Sequence, residues 1–149
     1  MQQQPKATTP NAIAMIWLGF LAAPVCYIVV GWFVARNMTP VPYPQPLASV
    51  LVLAAIGAVA LGYYLPPRLL KGTFDPRTAQ PAASAEYQRR YQTAMIIRWA
   101  CFEVPALMGL VLLFLSGQLP PVIVGGAVAL ALIYGSRPQP GSTAAGSRH

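Results

Sequence analysis

Glu103 is the residue whose type and setting could carry ion chemistry, because it stands inside an otherwise apolar run at 94–115. At the helical rise of about 1.5 Å per residue it lies roughly 14 Å into that run. A glutamate cannot reach water from that depth. Hydrocarbon penalises its charged form, so the neutral acid is the expected state unless a cation or donor stands nearby. Two residues on, Pro105 lacks a backbone N–H, and the carbonyl of Cys101 loses its helical donor. An acid beside a freed carbonyl can bind a proton or small cation. A neutral acid can equally donate to that carbonyl and act as packing glue. Arg98, the other charge in the run, lies close enough to its end for the long side chain to snorkel to headgroups. The two charges are about 140° apart around a helix, so a simple same-face pair is not expected; they can meet different neighbours, or one another through Arg98 bending down. Tyr27, Tyr63, Tyr64 and Trp99 are candidate partners, and the sequence does not choose among them.

Little else in the chain has the means for chemistry. Cys26 and Cys101 both lie in apolar runs, which leaves no disulfide framework or zinc cluster. His149 is the only histidine and stands last in the sequence. The sequence offers no nucleophile–base set, metal-ligand cluster or phosphate-cradling glycine loop. An enzyme, a metal and a cofactor are therefore not expected.

Composition dictates the elements that must hold Glu103. The 149 residues are 56% hydrophobic and 9% charged, against about a quarter charged in ordinary soluble domains. Ten basic and three acidic side chains cannot clothe a globule of this size in water. About 20 apolar residues cross a hydrocarbon core of roughly 30 Å. Such runs occupy 12–34, 47–65 (between Pro46 and the Pro66-Pro67 pair) and 94–115, with a shorter one at 119–134. The last must recruit residues from 116–118, for a span of about 117–134, or tolerate some bilayer thinning. The runs are continuous rather than alternating, and backbone groups in lipid need internal partners, so each is predicted to be a helix. The first run exceeds the 7–15 apolar residues of a signal peptide. A lipoprotein-like stretch at 21–26 has Val25 where a small residue should precede the cysteine. That run is expected to be retained. The predicted fold is an all-α membrane protein, a four-transmembrane-helix bundle over 12–136.

Lys6, Arg68, Lys71, Arg77, Arg89, Arg90, Arg137 and Arg148 all fall on one side of such a bundle, and Arg36 alone on the other. The positive-inside rule then places both termini and the 66–93 connection in the cytoplasm. The net charge of +7 reads as a topology signal and an attraction to anionic lipid, not as a nucleic-acid surface. The tails at 1–11 and 137–149 are expected to be disordered. Residues 37–46, rich in proline, read as a stiff extended turn. Residues 82–93 read as an interfacial helix continuous with the third span, with Tyr87 and Tyr91, and Glu86 and Arg90, at i,i+4 spacing. The partners expected are the lipid bilayer and either a second copy or a larger membrane complex. The alanine-, proline- and arginine-rich composition suggests a bacterial inner membrane.

Helices in lipid approach closely where small residues recur every four positions. Ala54, Ala58 and Gly62 form one such ridge, Gly19 and Ala23 another with Gly31 beyond, and Gly109 follows Pro105. Gly125 and Gly126 serve the last helix. These ridges predict compact bundling within the chain or mating with another subunit.

The pattern Tyr91-x-x-Ala94-Met95-Ile96-Ile97-Arg98, followed by Glu103-Val104-Pro105-Ala106-Leu107, resembles a family of small bacterial four-helix membrane proteins. So does the glycine-rich last run ending Tyr134-Gly135-Ser136-Arg137-Pro138. The resemblance covers the C-terminal third well and implies the architecture, leaving activity open. Glu103 to Val111, EVPALMGLV, is also similar to the ion-carrying helix of rotary ATP synthase c subunits. That likeness implies an ion-binding role for Glu103. The alternating glycines of the c-subunit partner helix are missing, however, and the charge pattern puts the first loop on the opposite side. Small multidrug transporters share four spans and a membrane glutamate, but theirs lies on the first span. The expected function is a non-enzymatic structural or accessory subunit, with Arg98 and Glu103 stabilising the bundle. The alternative is proton or cation translocation through Glu103.

Overall fold

The computed structural model describes residues 10–42, 45–71 and 85–138. These form four helices in chain order, α1 Pro10–Ala35, α2 Gln45–Lys71, α3 Ala85–Ser116 and α4 Pro120–Gly135, with no strand among the described residues. The stretches Ala12–Ala35, Gln45–Leu70 and Arg89–Ser116 are long and apolar enough to cross a membrane. α4 has 16 residues, about 24 Å of helix against a hydrocarbon core of roughly 30 Å.

Two boundaries differ from the sequence reading. Pro66 and Pro67 end the apolar run but lie inside α2, which continues to Lys71. Proline's fixed φ is already helical, and the lost donors free only the carbonyls of Gly62 and Tyr63 near the end of the run. At the other junction, Gly117 adopts φ +67° and turns the chain after α3. Its N–H caps the Leu113 carbonyl, a helix-ending device that suits glycine. Residues 117–119 therefore form the turn, and the fourth helix opens on Pro120 and Pro121, where missing N–H groups cost nothing.

α3 is the hub. It packs against α1, α2 and α4; α1 also packs against α4, while among the described helices α2 packs against α3 alone. Of the predicted segment 82–93, residues 85–93 run unbroken into the third span as the start of α3, and 82–84 lie outside the described residues. The side chains of the proposed Glu86 and Tyr87 pairings, and the tails at 1–9 and 139–149, lie outside the described residues.

At the end carrying the short loops, Val41 N–H donates to the Ser116 carbonyl at 2.8 Å. Gln118 Nε2 returns a bond to the Val41 carbonyl at 3.2 Å. At the other end Met95, Trp99, Phe102 and Ile133 form a buried cluster, with Trp17 and Phe20 of α1 packed against it. Outside that core the surface is apolar: Phe33, Leu53 and Val124 are all more than half exposed. Water-soluble proteins do not present continuous apolar faces of this extent.

Candidate functional site

Glu103 sits at the seam of α1 and α3. Tyr27 Oη donates to its Oε1 at 2.5 Å, joining residues 76 positions apart. Its depth follows from the packing of α4. The Pro105 carbonyl lies against Gly125, near the midpoint of α4, so Glu103 is level with the middle of the bundle. Of the four aromatic candidates, Tyr27 is the one that meets the acid. Glu103 is half-buried, and among the described residues no group of three or more potential ligands gathers around a metal position.

Arg98 occupies a different face of α3. Its guanidinium lies over the rings of Tyr63 on α2, at 5.3 Å, and Phe102, at 5.4 Å. Those two rings pack on each other with centroids 5.1 Å apart. Cation–π contact of this kind contributes about 0.5–2 kcal/mol, more when desolvated. Arg98 Nε is buried and has no hydrogen-bond partner. The neighbouring Trp99 fixes the arginine's depth, because Trp99 Nε1 reaches the Ser136 carbonyl just beyond the end of α4, at 3.4 Å. Arg98 thus lies level with the carboxyl end of α4, not with Glu103.

That end of α4 leaves carbonyls without helical donors. Trp17 Nε1 supplies the Ile133 carbonyl at 3.1 Å, and Ser136 Oγ supplies it again at 3.0 Å. Sequence reasoning missed this capping by two indoles. The signal for it was a tryptophan on each of two helices near the same predicted membrane face.

The small residues divide sharply. A Cβ on Gly109 would lie 2.4 Å from the Pro121 carbonyl oxygen, and one on Gly125 2.2 Å from that of Pro105, so α3 and α4 touch backbone to backbone. Gly62 closes α2 onto Phe102 and the Cβ of Cys101, and Gly31 closes α1 onto Val122. Gly19 faces outward with nothing within 4 Å of where a Cβ would stand. On the first two helices Ala54 is exposed, and Ala23 and Ala58 are half-buried. Pro105 is buried at the α4 crossing, and Cys101 is half-buried against α2.

Because α2 and α4 do not meet, an apolar groove of about 660 Å³ runs between them with α3 as its floor. Comparison of the chain with family models, curated proteins and solved structures finds no match.

Proposed function

We propose that the chain is a non-enzymatic integral membrane protein of the bacterial inner membrane, a structural or accessory subunit of a larger assembly or a homo-oligomer. In this reading all four helices cross the bilayer, α4 with local thinning, and both termini face the cytoplasm. The one-sided placement of Lys and Arg supports that orientation. The likeness of the third span to the small four-helix family is in keeping with it.

The observation that carries the structural reading is the Tyr27–Glu103 hydrogen bond. A carboxyl at mid-depth engaged by a tyrosine of another helix behaves as an interhelical clasp. Arg98 clasps α2 in the same way, through aromatic rings. The test is carbodiimide labelling of the chain in native-like bilayers across pH and cation concentration. The structural reading expects slow labelling of Glu103 that sodium or potassium does not alter, and a smaller stability loss in Glu103→Gln than in Tyr27→Phe. Rapid labelling of Glu103 that a cation suppresses overturns it in favour of ion translocation.

A further inference from the structure

We propose that the groove between α2 and α4 is a phospholipid site, with an anionic headgroup held at Arg98 and an acyl chain lying along α3. The proposal rests on the membrane placement above and adds an occupant to it. Val52 and Val59 form one wall, Val124 and Leu132 the other, and Pro105 and Leu112 part of the floor. Such walls offer an occupant dispersion and apolar contact but no directional bonds. The volume, about 660 Å³, falls within the roughly 300–1,000 Å³ of sites that hold small organic ligands. From Pro120 to Leu132 the groove follows about 18 Å of α4, somewhat more than the roughly 15 Å depth of one hydrocarbon leaflet. That is the dimension of an acyl chain.

Charge decides which lipid. Val59 and Leu132, both groove residues, pack against the cluster that contains Phe102, and the Arg98 guanidinium lies over the Phe102 ring. The arginine therefore stands at the foot of the groove, level with the carboxyl end of α4. Its Nε is buried without a partner, and no carboxylate among the described residues forms an ion pair with it. Arg98 is only partly buried, but its Nε is cut off from water without an acceptor, and a phosphate diester at that depth supplies an acceptor and a counter-charge. The positive-inside orientation puts this foot in the cytoplasmic leaflet, where anionic lipids bind basic pockets between helices. At the opposite end of the groove the polar side chain is Gln118, which is uncharged and gives one of its N–H groups to the Val41 carbonyl.

The test uses the full chain purified in mild detergent, given equal phosphatidylglycerol and phosphatidylcholine, and read by native mass spectrometry. The wild type is expected to retain one phosphatidylglycerol with about fivefold preference. Arg98→Gln should bring the two lipids to parity, and Arg98→Lys should keep part of the preference. Val128→Trp, which fills the groove without touching the arginine, should lose the retained lipid whatever its headgroup. Millimolar inorganic phosphate should displace nothing, since the chain contributes as well as the headgroup. Circular dichroism identifies the variants that remain folded, and the wild-type preference is decisive by itself. Three results overturn the site: no headgroup preference in a folded, membrane-inserted wild type, a preference that survives Arg98→Gln, or a dimer that Val128→Trp converts to monomer. The last assigns the groove to a second copy. None of the three bears on the Tyr27–Glu103 clasp, so the structural reading stands or falls separately.

Discussion

Arg98 and Glu103 stand five positions apart on α3 and engage opposite neighbours. Glu103 accepts from Tyr27 of α1, while Arg98 lies over Tyr63 of α2. α1 and α2 do not touch each other, so these contacts tie two separate helices to a common hub. A direct Arg98–Glu103 ion pair would have neutralised both charges but linked nothing. The separation of about 140° around α3 is what lets each polar group serve a different interface.

If Glu103 is a clasp, removing the donor should matter more than changing the acceptor. Tyr27→Phe deletes the only atom of that ring that reaches α3's carboxyl, and should cost about 0.6–1.7 kcal/mol, the range for interhelical hydrogen bonds in membrane proteins. Glu103→Gln retains an amide oxygen that accepts from Tyr27, and should cost less. The double variant should be no worse than Tyr27→Phe by more than a few tenths of a kcal/mol, because the two changes remove one interaction. Thermal unfolding in a single detergent measures all three. Additive losses would show that the residues act independently.

The glycines divide into those that hold helices together and those that do not, and substitution should reveal the division. Gly125→Ala and Gly109→Ala each place a methyl against a carbonyl oxygen of the facing backbone. Backbone cannot yield as a side chain does, so α3 and α4 must separate, at about 1–3 kcal/mol or more. Gly19→Ala and Gly57→Ala place a methyl in open space and should be neutral, or stabilising by up to about 1 kcal/mol from helix propensity. Unfolding in detergent ranks the four. Should Gly19→Leu leave the fold intact yet dissolve an oligomer, that outward face would be the subunit contact.

Much of this arrangement could be read from residue order, and the parts that could not share a physical cause. Long uncharged runs fix helices because lipid forbids unpaired backbone, so the existence of α1, α2 and α3 was legible. The ends were less so, because the stop signal of Pro66 and Pro67 loses force where the carbonyls they free lie near polar surroundings. The small-residue ridges marked positions able to permit close approach, but Gly109 uses that ability and Gly19 does not. Which helix faces which is a long-range choice, and hydrophobicity in lipid is nearly the same on every side. Tyr27 was one of four aromatic candidates for that reason. The open groove between α2 and α4 had no local signature, because it consists of a contact that is not made.

Orientation can be measured independently of stability. In a variant lacking Cys26 and Cys101, a single cysteine at Thr39 should react with an impermeant maleimide in intact cells. A cysteine at Arg137 should react only after the membrane is opened. Both follow from the concentration of Lys and Arg on the side opposite Arg36. Labelling of both positions from the same side would place an even number of crossings between them and remove α4 as a span.

The two indoles at the carboxyl end of α4 should not be equivalent. Trp17→Phe keeps an aromatic ring and removes the donor to the Ile133 carbonyl, yet that carbonyl still accepts from Ser136 Oγ and from the Ser136 backbone N–H. The loss should stay below about 1 kcal/mol. Trp99 is fully buried between α1 and α4, and its ring packs 6.0 Å from that of Phe20. Trp99→Phe gives up a longer and weaker hydrogen bond but also opens a void in a close-packed cluster. Its penalty should be about 1–3 kcal/mol, dominated by lost packing rather than by the donor. Unfolding of both variants in the same detergent tests the order. A larger loss for Trp17→Phe would mean that satisfying α4's terminal carbonyls, and not filling the Met95–Trp99–Phe102 cluster, is what secures that end of the bundle.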